Sequence, residues 1–371
     1  MRIAAIGDAH LGRSYPSPPT PEGVSTRERD FERSFEEAIE LALAQEPGLI
    51  VWLGDVFDHP RPTYRSFRVA QRGLARIRDH GVPAVVISGN HDTPRLPGTG
   101  SPYSALADAF GGLLFAHRLR YERFELPGLV VHAVPQMLAV DHTLDALAQA
   151  DARRSLDKTN LLLTHPRLRQ VEPRYADVNE IEVDAGEIKA DLVLLGHYHC
   201  FTPVRPDMWY AGSTDSFTFA DDPDVDKGIV VLDTDSGECR HVPLEGRRPL
   251  VTLEQVHAQG LSPSELTDLV TRRVASLPSG AVGRLYLEEV DPESYRLLDV
   301  DAVREAHSHA LACRLEPRFS GVLTEAVPVD LDSLPSRWAR YVSAQDLSGF
   351  DRQRVDSLGR DYLERAVEGS V

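Results

Sequence analysis

The sequence predicts an α/β domain built on a largely buried sheet, followed by a compact α+β unit and a helical tail. Three observations lead there. Short apolar, β-rich runs recur at 2–6, 49–53, 84–87, 129–134, 160–163, 191–195 and 228–232. Stretches with helical spacing lie between several of them, as at 31–43 and 66–77, and strands that alternate with helices build α/β domains. Around 243–249 the pattern breaks.

Taken in order, residues 14–26 are rich in Pro and Ser and read as an exposed excursion. From 250 to 323 the spacing predicts a helix over 263–277, a strand over 283–288, a helix over 301–312 and a further strand. The stretch from 333 onward reads as helical, with an apolar stripe that includes Trp338, Tyr341, Val342, Tyr362 and Leu363. The expected domains are 1–247, 248–328 and a tail at 329–371. There is no internal repeat.

Of the 371 residues, 42% are hydrophobic and 26% charged, an ordinary globular balance that excludes wholesale disorder. No run approaches the roughly 18 apolar residues of a membrane span, and the first apolar run is too short for a signal peptide. Cys200, Cys239 and Cys313 are odd in number and far apart, so neither a disulfide framework nor a thiolate zinc site is expected. The cytosol is the expected compartment. A net charge of -17 argues mildly against a nucleic-acid binder, yet bound divalent cations would supply positive charge that residue counting omits.

The strand candidates end in metal-ligand residues. The first run is followed by Asp8-Ala9-His10, the second by Gly54-Asp55-Val56-Phe57-Asp58 and the third by Gly89-Asn90-His91-Asp92. The later runs lead into Thr164-His165 and Gly196-His197-Tyr198-His199. Ligands of open α/β sheets bind outside the carboxyl ends of strands, so these clusters can converge on one crevice. In extended chain, residues i and i+2 share a side, which would aim Asp8 with His10, and His197 with His199, at one pocket. Any single cluster is ordinary turn chemistry. Five at successive strand ends are not. The pooled donors are carboxylate, imidazole and one amide, a mixture suited to Mn²⁺, Fe²⁺ or Zn²⁺ rather than Ca²⁺. Seven candidate ligands are too many for one ion, so two divalent ions are the expected cofactors. Two ions about 3.5–4 Å apart suit in-line displacement at phosphorus.

In this order the five clusters, spanning residues 8–199, resemble the signature of the calcineurin-like metallophosphoesterases. The resemblance implies a four-layer sandwich of two mixed sheets packed face to face under flanking helices. A narrower resemblance is to the SbcD family, the nuclease subunits of double-strand-break repair complexes. Asp8-Ala9-His10-Leu11-Gly12 is similar to that family's opening, and 27–43 and 54–61 to the segments that follow. Tyr210-Ala211-Gly212-Ser213-Thr214 and then Asp226-Lys227-Gly228 resemble a segment that smaller phosphodiesterases lack. The α+β unit sits where that family carries its DNA-capping domain.

Carried over by position, the resemblance gives one ion Asp8, His10 and His199, and the other Asn90, His165 and His197, with Asp55 bridging. His91 matches a histidine that assists catalysis without binding metal. Asp92 is expected to orient His91 from behind, as carboxylates do for working histidines, and Asp58 to be an outer or structural partner. The resemblance further implies DNA as substrate, an SbcC-type SMC-like ATPase as partner, a homodimer and no membrane association.

Arg65, Arg68, Arg72 and Arg76 are spaced by three and four on one predicted helix. Like charges at that spacing destabilise a helix, which DNA phosphate could offset; the plainer reading is a solvated face paired with local acids. His132, His142, His257, His307 and His309 lack the strand-end setting and read as structural or surface residues. Three functions remain open: a DNA exonuclease/endonuclease working with an ATPase; a small-molecule phosphodiesterase or phosphatase; and a non-enzymatic scaffold subunit. Small-molecule enzymes on this core usually end soon after the last cluster, whereas this chain continues for about 170 residues. The complete ligand set speaks against the scaffold.

Overall fold

The computed structural model describes residues 1–13, 17–172, 180–219, 226–320, 338–339, 341–343 and 351–368. The expected end of the second unit, 321–328, and the start of the tail lie outside the described residues.

In chain order the first domain begins β1 (Arg2–Ile6), α1 (Thr26–Ala44), β2 (Leu49–Leu53), α2 (Tyr64–Asp79) and β3 (Ala84–Ile87). It continues α3 (Pro102–Ala109), β4 (Leu114–Ala116), β5 (Glu122–Leu126), β6 (Leu129–Val134), α4 (Val140–Ala152) and β7 (Thr159–Thr164). Then come β8 (Arg167–Leu168), β9 (Glu182–Val183), β10 (Leu192–Leu195), β11 (Thr202–Arg205), β12 (Met208–Tyr210), β13 (Gly228–Asp233) and β14 (Cys239–Pro243).

One sheet has the order β14-β13-β1-β2-β3-β4 and the other β11-β12-β10-β7-β6-β5. Both are mixed. β1 to β4 are parallel while β13 runs against β1; β12, β10, β7 and β6 are parallel while β5 and β11 run against their neighbours.

Alternation along the strands sorts the apolar residues into three cores. Ile3, Ala5, Val51 and Ile87 of the first sheet face Val131, Leu161, Leu163 and Leu194 of the second. On the other side of the first sheet, Ala4, Ile6, Ile50 and Trp52 meet Phe35 and Ile39 of α1 and Val69 and Leu74 of α2. The outer face of the second sheet, with Leu162, Val193 and Leu195, meets Ala146 and Leu147 of α4. These are the four expected layers. Strands buried on both faces read as continuous apolar runs, which is why β1, β2 and β3 were conspicuous in sequence and exposed edges such as β5 were not. Ser25 and Thr63 cap α1 and α2 by accepting the backbone N–H groups of Glu28 and Ser66. The two helices touch at Gly73, where a Cβ would strike the Ile39 side chain.

The second unit comprises β15 (Leu250–Thr252), β16 (Val256–His257), α5 (Pro263–Val274), β17 (Val282–Val290), α6 (Pro292–Arg296), α7 (Val300–Ala306) and β18 (Ala312–Phe319). All its strands pair in parallel with β17. Leu266, Val270 and Val274 of α5 and Val303 of α7 close its core over Leu285 and Leu287. α5 begins with a reciprocal capping box between Ser262 and Glu265. The helix expected over 301–312 ends at Ala306. His307-Ser308-His309 are weak helix formers, and the Leu311 N–H is drawn into the sheet by the Ala281 carbonyl at 2.8 Å.

In the tail, α8 (Arg352–Glu368) is covered in part by Trp338. The indole N–H donates to the Asp356 carbonyl at 3.2 Å, and the ring occupies the place of a Cβ on Gly359. Tyr341 and Tyr362 stay exposed.

Candidate metal centre

The register of the parallel strands brings their carboxyl ends level. Ile6 pairs with Trp52, Leu53 with Ile87 and Leu195 with Thr164, so the loops that follow leave the two sheets side by side. Asp8, His10, Asp55, Asn90, His165 and His199 are buried there, with His197 at the rim. His10 Nε2 lies 3.2 Å from His199 Nε2. The Asn90 Oδ1 lies 3.1 Å from His165 Nε2 and 3.0 Å from His197 Nδ1. Asp55 Oδ2 sits between, 3.2 Å from His165 Nε2 and 3.8 Å from His10 Nε2. All seven expected ligands meet in one crevice.

The route by which they converge differs from the expectation. Asp8, His10, Asp55 and His197 have φ of 36°, 44°, 48° and 91°, so left-handed turns, and not extended alternation, aim these side chains. Such backbone costs about 1–3 kcal/mol per residue and persists only where its surroundings enforce it. Here the His10 and Leu11 N–H groups donate to the carbonyls of Asp55 and Val56, both at 2.8 Å. The His197 N–H donates to the Asp8 carboxylate at 3.0 Å, and the His91 N–H to Asp55 Oδ1 at 2.8 Å. Gly196 must be glycine: a Cβ there would strike the Leu53 carbonyl and the His165 ring.

Charge is tightly paired. Burial pushes the Asp8 carboxyl up to about 7, a rise that His165 tempers. Burial presses Asp55 upward as well, but the charge and hydrogen bond of His165 prevail and hold it well below the usual carboxylate range. Burial disfavours protonation of His165, yet Asp55 and Asp8 prevail and raise it to about 9. His10, by contrast, is lowered by burial, which keeps its lone pair available.

The donor chemistry fits divalent cations. His165 Nδ1 donates to the Leu53 carbonyl at 2.6 Å and His10 Nδ1 to Asp58 Oδ1 at 3.1 Å, so both rings turn Nε2 toward the crevice, where a cation can take the place of a proton. Three groupings lie close enough to hold an ion: Asp8, His10 and His199; Asp8, Asp55 and His165; and His10, Asp55 and His91.

A model of the calcineurin-like phosphoesterases matches residues 1–201. The chain belongs to that family. Among relatives, it is similar to the DNA double-strand break repair protein Mre11 of Saccharolobus solfataricus, with 27% identity over 200 residues, 54% of this chain and 49% of that protein. The protein of the same name from Methanococcus maripaludis is 27% identical over 270 residues, 68% of this chain and 69% of its own. The one from Thermoplasma acidophilum is 25% identical over 266 residues, 67% of each chain. The chain thus spans about half the length of the first of these relatives and about two thirds of the others.

Around the candidate ligands, Asp92 departs from its expected role. Asp92 does not orient His91: its oxygens accept from the Gly89 and Phe57 N–H groups at 2.8 and 3.3 Å and from the Tyr103 hydroxyl. It ties the loops after β2 and β3 together from below. Asp58 stands beside His91 instead, its carbonyl 3.2 Å from His91 Nδ1 and its carboxylate 3.8 Å away. The same carboxylate holds His10 and accepts from Arg13 at 3.1 Å. Burial raises Asp58, but the hydrogen bond and charge of His10 outweigh it and lower the group to about 2.

The arginine stripe is also answered within the phosphoesterase. Glu32, Glu36 and Glu40, one turn apart on α1, pair with Arg65, Arg72 and Arg76 of α2. Glu32 is buried and receives Arg65 at 2.6 and 2.7 Å. The repulsion that suggested an anionic partner is therefore neutralised by local acids. Arg68 is exposed and joins no ion pair among the described residues.

Sequence reasoning missed Phe217, which packs edge-on against His10 and His199 with ring centroids 4.7 and 5.0 Å away. It missed Lys227 too, a buried ammonium that donates to the His199 carbonyl at 2.5 Å. The Asp226-Lys227-Gly228 segment was the only signal, and it carried no role.

Proposed function

We propose that this chain hydrolyses phosphodiester bonds of DNA, using two divalent ions, Mn²⁺ foremost, in the repair of double-strand breaks. The observation that carries this reading is the reach of the similarity. The match to the Methanococcus maripaludis repair protein covers 68% of the chain and so extends beyond the 201 residues of the phosphoesterase match.

In this reading Asp8, His10 and His199 would hold one ion and Asn90, His165 and His197 the other, with Asp55 as the carboxylate that would serve both. When bound, the ions supply Lewis-acid stabilisation of charge on the attacking and leaving oxygens. The chain's residues do the rest. Leu53 and Asp58 fix which ring nitrogens of His165 and His10 carry protons. His91 stands edge-on to His10 at 4.5 Å; with Nδ1–H held by the Asp58 carbonyl, its imidazolium can release the Nε2 proton to a leaving oxygen. A cavity of about 350 Å³ opens beside Asn90, lined in part by Gln136, Met137 and Ile181, and leaves room for the nucleotide next to the scissile phosphate. The 248–320 unit takes the place of a DNA-capping domain. An SbcC-type ATPase is the partner, with exposed Tyr341 and Tyr362 of the tail as contact points, and the working assembly is a homodimer.

The test is incubation of the purified chain with Mn²⁺, end-labelled duplex and single-stranded DNA, and bis(p-nitrophenyl) phosphate. DNA cleavage supports the reading. Turnover of the small ester alone would favour a small-molecule phosphodiesterase, and metal uptake without turnover of either substrate a scaffold subunit.

A further inference from the structure

We propose that a buried arginine–carboxylate cluster couples the 248–320 unit to the His10–His199 half of the metal centre, with Arg27 and Lys227 as its positioning residues. The proposal rests on the two-ion reading above and concerns how one half-site is held.

Arg27 lies buried at the start of α1. Its guanidinium donates to Asp30 Oδ2 at 3.0 Å on one side, and to Asp215 Oδ1 at 3.3 Å and the Ser216 carbonyl at 2.9 Å on the other. Asp30 faces outward from this pair as well. It accepts from Arg248 Nε at 2.5 Å and Nη2 at 3.1 Å, and Arg248 Nη1 donates to the Gly280 carbonyl at 2.5 Å. Arg248 stands two residues before β15, and Gly280 two residues before β17. The fork of one arginine thus pins the root of the second unit to α1.

The inward arm ends at the metal ligands. Asp215 is held by the Ser34 hydroxyl at 2.8 Å, and its own carbonyl accepts from the Ser213 hydroxyl at 2.8 Å. The Ser213 N–H donates to the His199 carbonyl at 3.2 Å, the same oxygen that takes the Lys227 ammonium. Two residues beyond Asp215, Phe217 lies against the rings of both His10 and His199. Among the described residues, the arms of this cluster that reach the centre end on that pair of histidines. His165 is fixed instead by Leu53, and the His197 backbone by Asp8.

Burial of a charged side chain is costly before pairing, and apolar residues often fill such space at lower cost. Ions in fixed hydrogen-bond geometry add direction. Displacement of the second unit draws Arg248 from Asp30, leaves that carboxylate to Arg27 and Arg33, and slackens the segment that seats Phe217 on the histidines. The ion held by Asp8, His10 and His199 then weakens while the other does not.

The experiment is calorimetric titration of the full chain with Mn²⁺ alone, without DNA, and thermal melting in EDTA alongside. Wild type takes up two ions. In Arg248→Met and in Lys227→Met one constant weakens by about tenfold, the usual scale for outer-shell partners of a metal site, and the other holds. Arg248→Lys, which keeps a charge beside Asp30, recovers most of the loss. In a His165→Ala background, where only the His10–His199 half-site is complete, Arg248→Met weakens the remaining ion by the same factor. Unchanged constants overturn the proposal, as does equal weakening of both ions with a matching fall in melting temperature. A wild-type chain that takes up fewer than two ions overturns the two-ion reading, and this proposal with it.

Discussion

Asp55 Oδ2 lies 3.2 Å from His165 Nε2, and both side chains are buried at the junction of the two sheets. Without metal they are an ion pair, the carboxyl held low and the imidazole raised to about 9. Each of these groups is a potential metal ligand, so cations and protons compete for one crevice.

That competition sets a pH dependence. The folded-state pKa of His165 is above its ordinary 6.5, so its stabilising contribution is complete below pH 6.5 and is lost as pH climbs through about 9. Asp8, raised to about 7 by burial, acts in the same direction up to that pH, because the folded chain prefers its neutral form. In EDTA the melting temperature is expected to fall from pH 6.5 to 9, and with saturating Mn²⁺ the fall should be much smaller. A rise over that window in EDTA contradicts the pairing.

Leaving-group assistance separates from metal binding. His91→Ala should keep both ions and lose most turnover, whereas Asp58→Asn should weaken the ion on His10 by about 10–100-fold, because it removes the anion that fixes that ring. Metal analysis and DNA cleavage on both variants check this, because a nitrophenolate departs without a proton and does not report on His91. Loss of metal in His91→Ala would make His91 a ligand.

Gly196→Ala is expected to damage the other half-site. Its methyl group would strike the Leu53 carbonyl and the His165 ring, so overpacking of roughly 1–3 kcal/mol should come with displacement of His165. Uptake of two ions with wild-type affinity would show that the loop relaxes without cost.

The ladder between α1 and α2 predicts unequal arginines. Arg72→Ala breaks a pair between half-exposed partners and should cost less than about 1 kcal/mol, with the salt dependence of DNA binding unchanged. Arg65→Ala strands the buried Glu32 beside Arg29 alone and should cost roughly 1–3 kcal/mol. Arg68→Ala is the variant expected to lower the log–log salt slope, by about one unit. A slope that falls equally in Arg72→Ala would mean that Glu36 does not occupy it.

Legibility in the sequence followed burial. β1, β2 and β3 are covered on both faces and announce themselves as apolar runs, and the ligands stand where those runs stop. Half-covered or short strands such as β5, β8 and β16 carry no such mark. The candidate donors that meet in the crevice were readable because donor chemistry is local to a residue. The roles of Asp58 and Asp92 were not, since each depends on which loop a carboxylate meets across the fold: Asp58 meets His10 from 48 residues away, and Asp92 meets Phe57 from 35. The same distance hid Glu32 behind Arg65 and Lys227 behind His199. Left-handed backbone at Asp8 and Asp55 also escaped, because glycine, the usual sign of it, is absent at those positions.

Metal stoichiometry in the Asp55→Asn variant tests the central claim most directly. Wild type and variant are loaded with Mn²⁺, desalted, and the metal per chain is measured by mass spectrometry alongside turnover of the small ester. A bridging carboxylate predicts two ions per chain in wild type, fewer than one in Asp55→Asn, and no turnover in the variant. Two tightly held ions and full turnover in Asp55→Asn would contradict a two-ion centre built around Asp55.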